Sequence, residues 1–209
     1  VDSVCVRLRN SEVWCWGANL YGQLGDDRMR HGVTCGEGDP DPLDCSPGAV
    51  RVRNLEATEL HPGGLGVCAT TADGLACWGL ADAPLPGSDQ RIRQFEPELL
   101  EGFDAFTAVS RGFTNTCVVT EAGGVQCVVT YDCSSAPVTV AVEGTPTQLA
   151  LGSNHACALI GTEVWCWGNN SAGQLGVGTY TSSEPVPAVV PGISATLIRA
   201  AGETTCALT

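Results

Sequence analysis

The chain has 209 residues, and its 26 glycines and 12 prolines argue against long uninterrupted helices. The formal net charge is −13 and all ten basic residues are arginine, so the basic stripe that a polyanion requires is missing and nucleic acid is not an expected partner. Twelve cysteines indicate an oxidising compartment. No apolar run approaches the roughly 20 residues of a membrane span. We therefore expect an all-β protein that is secreted, periplasmic or on the cell surface.

A cysteine-containing hairpin motif recurs along the chain. Residues 5–17, ending in Val-Trp-Cys-Trp-Gly, match residues 157–168, and each copy is followed by an asparagine three positions ahead of Gly-Gln-Leu-Gly, at Asn19 and Asn170. The five copies begin at Cys5, Cys68, Cys117, Cys157 and Cys206. The leading cysteines are 63, 49, 40 and 49 residues apart, a period that suits blades of four strands.

The residue pattern favours strands that are covered on both faces. Trp14 and Trp16 point to one face of their strand and Cys15 to the other, as a blade packed between two neighbours requires, and Trp165, Cys166 and Trp167 repeat this arrangement. The predicted fold is a β-propeller with blades of about four antiparallel strands, and these tryptophans are expected in its core. The predicted repeat units are residues 1–62, 63–111, 112–151, 152–200 and, for the start of a fifth, 201–209.

The cysteine spacing predicts one disulfide in each hairpin. Cys157 and Cys166 flank a two-residue loop that places them directly opposite each other. Zinc, the rival interpretation, prefers close-set ligand pairs, and the sequence contains no Cys-x2-Cys or Cys-x4-Cys. The predicted disulfides are Cys5–Cys15, Cys35–Cys45, Cys68–Cys77, Cys117–Cys127 and Cys157–Cys166. Cys206 is expected to pair with a cysteine beyond the end of this sequence, and Cys133 has no assigned partner.

These motifs resemble the repeats of the regulator of chromosome condensation family, to which Ala200-Ala201-Gly202 ahead of Cys206 adds a further match. The paired cysteines are reminiscent of bacterial secreted versions. The resemblance implies a β-propeller, commonly of seven blades, of which about four are present, so we expect the chain to be part of a longer one. The family's founder is a nucleotide-exchange factor, a cytosolic or nuclear role against which the cysteines argue. A secreted β-lactamase inhibitor with a similar propeller implies protein recognition through loops on one face.

The segment from Asp26 to Pro47 interrupts the first repeat and is called the insertion below. Loops that project from a rigid scaffold often carry function, and a Cys35–Cys45 disulfide would order this one before it meets a partner. The residues expected to contact a partner protein are Asp26, Asp27, Arg28, Arg30, Glu37, Asp39, Asp41 and Asp44. Its acidic cluster favours a basic or calcium-bridged partner, with Asp39, Asp41 and Asp44 as candidate calcium ligands. A zinc site at His31, Cys35 and Cys45 and a merely solvated loop are the alternatives.

The sequence offers little support for catalysis. Its three histidines are far apart in the sequence, and no His-Glu-x2-His, Gly-x-Ser-x-Gly or Walker motif occurs. We expect a non-catalytic extracytoplasmic module, with no cofactor other than calcium, that binds another protein or assembles into a larger extracellular structure. The alternatives are a lectin-like propeller that binds carbohydrate on exposed aromatic residues, or a propeller hydrolase or lyase with acids or histidines around its channel.

Overall fold

The computed structural model describes residues 3–35, 43–64, 66–84, 91–113, 115–129 and 136–209. Within these ranges the chain forms eighteen β-strands and no helix, so the described part has no helix that could cross a membrane. The described residues divide into two compact units, one ending at Glu101 and the other beginning at Gly102.

The first unit contains two four-stranded antiparallel sheets. The first sheet has the order β1-β2-β4-β3, and its strands are β1 (Ser3–Arg7), β2 (Glu12–Ala18), β3 (Thr34–Cys35) and β4 (Leu43–Glu56). The second sheet follows chain order, and its strands are β5 (Glu59–Gly63), β6 (Gly66–Thr71), β7 (Gly74–Pro84) and β8 (Arg91–Leu99).

The second unit contains two further four-stranded sheets and a two-stranded sheet, all antiparallel. The third sheet consists of β9 (Phe106–Arg111), β10 (Asn115–Thr120), β11 (Val125–Val129) and β12 (Val138–Val140). The fourth sheet consists of β13 (Gln148–Leu151), β14 (His155–Ile160), β15 (Glu163–Asn170) and β16 (Thr181–Val189). The fifth sheet consists of β17 (Leu197–Ala201) and β18 (Thr204–Leu208).

The cysteine strand is the second strand of each sheet from the second to the fifth. The strand before it, such as β13 or β17, pairs with it across a tight turn. The first strand of each of these sheets therefore lies ahead of the leading cysteine, where the sequence motif begins. Blades of four antiparallel strands are what the repeat length predicts.

The structure contains the five disulfides that the hairpin spacing predicts. In the four repeat hairpins the two cysteines are cross-strand neighbours with Cα atoms 4.0–4.1 Å apart, and in the insertion Cys35 and Cys45 have Cα atoms 5.9 Å apart. Cys206 is exposed and is not in a disulfide, whereas Cys133 lies outside the described residues.

Burial of the tryptophans is only partly as predicted. Trp78 and Trp167 are buried, but Trp14, Trp16 and Trp165 remain partly exposed. The Trp78 ring explains one glycine of the Gly-Gln-Leu-Gly motif, because a Cβ on Gly25, whose φ is +64°, would lie 2.9 Å from that ring. The Trp78 Nε1–H also donates to the Gln23 carbonyl at 3.0 Å, which ties the first sheet to the second.

Candidate functional site

Asn19, the asparagine ahead of Gly-Gln-Leu-Gly, fixes the start of the insertion. Its Oδ1 accepts a hydrogen bond from the Leu24 amide at 3.1 Å, and its Nδ2 donates to the Arg28 carbonyl at 3.0 Å. The same Nδ2 lies 3.1 Å from Asp44 Oδ2. Because Asn19 is only 1% exposed, these bonds hold both ends of the insertion from inside the fold.

The fourth sheet has the same clamp without the insertion. Asn170 Oδ1 accepts from the Leu175 amide at 3.2 Å, and Asn170 Nδ2 donates to the Thr179 carbonyl at 2.9 Å. Only two residues later, Thr181 begins β16 and lies opposite Asn170 in the ladder. We call residues 176–181 the fourth-sheet turn. The repeated asparagine is therefore a structural residue in both copies.

The insertion is held by a second device, a histidine placed between two carboxylates. His31 Nδ1 lies 2.9 Å from Asp44 Oδ2, and His31 Nε2 lies 3.0 Å from Asp26 Oδ2. The His31 backbone N–H also donates to Asp44 Oδ1 at 2.6 Å. The His31 side chain is 5% exposed, and those of Asp26 and Asp44 are 7% and 16% exposed.

This arrangement determines the protonation state of His31. Carboxylates accept hydrogen bonds, so an imidazole between two of them donates from both nitrogens and carries a positive charge. Burial by itself would lower the pKa of His31, but the hydrogen bonds to Asp44 and Asp26 outweigh it and raise that pKa above 6.5. Burial would likewise raise the pKa of Asp44, yet the bonds from His31 and Asn19 hold it below its usual value. The three groups form a buried charged bridge.

The insertion is acidic by composition, but several of its solvent-exposed residues are basic or apolar. Arg28, Met29 and Arg30 are all exposed, with the Met29 residue at 69% and the Arg28 side chain at 65%. Val33 is a further exposed apolar residue. Asp27, whose φ is +71°, places its carboxylate 2.5 Å from Arg53 Nη1.

The predicted site residues are thus divided by the structure. Asp26 and Asp44 face inward on His31, and within the described residues the Asp44 carboxylate has three hydrogen bonds, to His31 and Asn19. The predicted contacts Glu37, Asp39 and Asp41 lie outside the described residues, which leaves Asp44 as the one described member of the calcium set. No group of three or more His, Cys, Asp or Glu side chains in the described ranges has the geometry of a metal site.

The zinc alternative does not fit the insertion, because the sulfurs of Cys35 and Cys45 are joined in a disulfide. Sequence reasoning considered His31 only in that role and missed its bridge between Asp26 and Asp44. An alignment of the two repeats could have indicated this bridge. Asp26 stands where the fourth repeat has Val177, so a carboxylate occupies a normally apolar position and needs a cationic partner.

The other two histidines are parts of the sheets. His155 is fully buried, and its Nε2 lies 2.8 Å from Thr205 Oγ1 on β18, so it is a hydrogen-bonding residue of the repeat. His61 Nε2 lies 2.9 Å from Thr70 Oγ1. Burial lowers the pKa of both residues below 6.5, the opposite direction to the shift of His31.

Comparison with known proteins agrees with this architecture. Residues 163–208 match the family model of the regulator of chromosome condensation (RCC1) repeat. Human WBSCR16 superposes with a TM-score of 0.71 at 18% sequence identity, over 96% of this chain and 54% of that one. Prp20p of Saccharomyces cerevisiae, described with its binding properties to Gsp1p and histones, gives 0.71 at 15% identity, over 96% of this chain and 52% of that one.

A third similar structure is the ectodomain of the receptor kinase CR4 of Physcomitrella patens. It has a TM-score of 0.54 at 19% identity, over 98% of this chain and 46% of that one. The present chain therefore spans about half the length of these solved structures. At such identities the likeness establishes the fold. The chain carries an RCC1 repeat at residues 163–208 and has the all-β fold of the RCC1-type β-propellers, of which it covers about four blades.

Proposed function

We propose that this chain is a non-catalytic protein-interaction module that acts outside the cytoplasm, secreted, periplasmic or at the cell surface, and that the insertion is its distinctive contact surface. RCC1-type propellers are interaction scaffolds, as the binding of Prp20p to Gsp1p and histones illustrates. The two repeats with the full motif differ most at the insertion. A loop that one repeat has and the other lacks is the expected place for recognition of a particular partner, because the rest of the scaffold is shared.

Five disulfides support the extracytoplasmic part of the proposal. Such pairs persist in oxidising compartments and are rare where glutathione keeps thiols reduced. The CR4 ectodomain gives a precedent for a similar fold in an extracellular part of a receptor. Non-reducing peptide mapping of the protein from its native source tests this part. Free thiols at these ten positions would contradict it.

The observation that carries the interaction proposal is that the insertion is fixed from inside while its outer residues are free to touch a partner. Asn19, His31 and the Cys35–Cys45 disulfide hold the chain at several points. A loop ordered before contact loses little conformational entropy on binding, so more of the contact energy is retained as affinity.

The exposed residues indicate the chemistry of the partner. Met29 offers a flexible apolar side chain at 69% exposure, and Arg28 and Arg30 flank it with positive charge. Methionine and arginine are both enriched in the centre of protein interfaces. A partner that fits them has an apolar depression bordered by carboxylates, and its association with the insertion should weaken as salt rises. This charge preference is the opposite of the one that the acidic composition favours.

The test replaces the outer residues and leaves the inner ones in place. In the variant Arg28→Ser/Met29→Ser/Arg30→Ser, His31 and its two carboxylates remain, so we expect a melting temperature close to that of the wild type. Tyr180→Ser is the matched control, because Tyr180 is 81% exposed and lies in the fourth-sheet turn. Partners are cross-linked at the native source and quantified. We expect a loss of more than about fivefold for the triple variant, equivalent to about 1 kcal/mol of binding, and none for the control. Equal recovery with the triple variant would remove the insertion from the function.

A further inference from the structure

Arg111 is a buried charged residue of the third sheet. It ends β9, lies opposite Thr116 on β10, and is 9% exposed. Neither Nε nor Nη1 of its guanidinium has a hydrogen-bond partner among the described residues. The Oγ1 of Thr116 and the Oδ1 of Asn115 are also buried without a partner there. Four unpaired polar atoms thus belong to three residues of one hairpin.

The fourth sheet holds an apolar pair at this position. Leu151 and Ala156 occupy the same register there, one at the end of β13 and the other on β14, and both are buried. The third sheet replaces this apolar pair with an arginine and a threonine. A buried cation without a counter-charge destabilises a fold strongly, so such a replacement needs a compensating anion.

The surroundings of Arg111 are fixed rather than adaptable. The Gly112 amide donates to the Asn115 carbonyl at 2.9 Å, and the Phe113 amide donates to the Gly152 carbonyl of the fourth sheet at 3.3 Å. A Cβ on Gly112 would lie 2.3 Å from the Gly152 carbonyl oxygen and 2.4 Å from Asn115 Oδ1. The backbone of this hairpin is therefore held in place against the fourth sheet.

We propose that Arg111 and Thr116 form a binding site for the single carboxylate group of a small ligand. The guanidinium N–H groups and the threonine hydroxyl can all donate to carboxylate oxygens. One buried positive charge is neutralised by one carboxylate, whereas a dianion such as sulfate would leave a buried negative charge uncompensated. Burial lowers the pKa of Arg111 to about 10, so the residue is still a cation at neutral pH. The site lies in the third sheet and does not depend on the insertion.

The first experiment compares Arg111→Leu with the wild type by thermal unfolding in sodium chloride and in sodium acetate at equal ionic strength. Leucine is the residue at the equivalent position of the fourth sheet, so the variant is expected to fold. Arg199→Leu, which removes an exposed arginine from β17, is the matched control. In chloride we expect Arg111→Leu to melt above the wild type, because an unpaired buried charge has been removed. Acetate should raise the melting temperature of the wild type and of Arg199→Leu saturably, by about 2–4 °C, and leave Arg111→Leu unchanged.

Further variants identify the source and the type of the anion. Thr116→Val should reduce the acetate response by at least half, and acetate should shift the Nε–H resonance of Arg111 but not that of Arg199. A lower melting temperature of Arg111→Leu than of the wild type in chloride would overturn the proposal. Asp132, from the same repeat, lies outside the described residues and is tested as a carboxylate of this chain. An acetate response that appears only in Asp132→Asn would also overturn the proposal, since the carboxylate would then belong to this chain. A sulfate response equal to that of acetate would overturn the preference for a carboxylate.

Discussion

The insertion and the fourth-sheet turn begin with the same motif and end in the same kind of strand, yet they are closed in different ways. In the fourth sheet, Asn170 alone joins the two ends of a short turn. In the first sheet, the same clamp from Asn19 is extended by the bridge of Asp26, His31 and Asp44. The long loop on this scaffold is thus ordered by buried charge in addition to the asparagine side chain, whereas the short turn has the asparagine bonds without a charged bridge.

The largest expected effect comes from removing the clamp itself. Asn19→Ala leaves the Leu24 amide, the Arg28 carbonyl and the Asp44 carboxylate each short of a bond, and we expect a loss of about 3 kcal/mol of unfolding free energy. Asn170→Ala leaves two backbone groups unpaired and should cost about 2 kcal/mol. Urea unfolding of both variants measures the difference. A larger loss for Asn170→Ala would contradict the extended role of Asn19.

The second effect isolates the bridge. His31→Gln can bond to one carboxylate but carries no charge, so Asp26 and Asp44 remain buried without a cation. We expect a loss of about 2 kcal/mol, within the range for hydrogen bonds to charged groups. The double variant His31→Gln/Asp44→Asn should recover part of it, which urea unfolding of the four proteins in a double-mutant cycle measures. A His31→Gln variant as stable as the wild type would show that the bridge does not hold the insertion.

A smaller effect concerns one backbone position shared by the two regions. Asp27 has φ +71° and Gly178, its counterpart in the fourth-sheet turn, has φ +79°. Residues other than glycine are strained in this conformation, so Gly178→Asp should lose about 1 kcal/mol. Asp27→Gly should stay within about 0.5 kcal/mol of the wild type, because relief of strain offsets loss of the exposed pair with Arg53. Thermal unfolding distinguishes the two outcomes, and equal losses would contradict the equivalence of the positions.

The bridge also makes the stability of the first sheet depend on pH. The pKa of His31 is raised in the fold, so its contribution is complete below pH 6.5 and is lost as the pH rises through the folded-state pKa. The pKa of Asp44 is lowered, so its contribution is present above pH 3.8 and is lost as the pH falls through the folded-state pKa. The stability difference between wild type and His31→Gln should therefore shrink in alkaline solution. The Asn170→Ala difference, measured by the same unfolding series, should not depend on the His31 titration.

Much of the fold was accessible from the sequence, since local geometry determines it. A two-residue loop between Cys157 and Cys166 fixes their register, and the register fixes the disulfide. The sequence did not show which charged side chains point into the fold and which point to solvent. Composition counts Asp26 and Asp44 as parts of an acidic surface, but both turn inward to His31, thirteen residues before Asp44 in the chain. The exposed arginines and Met29 therefore give the insertion a surface that its net charge does not reveal.

The protonation state of His31 in the folded protein tests most directly whether a charged bridge orders the insertion. The chain has three histidines, so an NMR titration of their imidazole nitrogens resolves each pKa. We expect His31 to titrate above pH 6.5, with both ring nitrogens protonated below its pKa, and we expect His61 and His155 to titrate below pH 6.5. A His31 that titrates at or below the pKa of the other two would contradict the charged bridge and with it the ordered insertion.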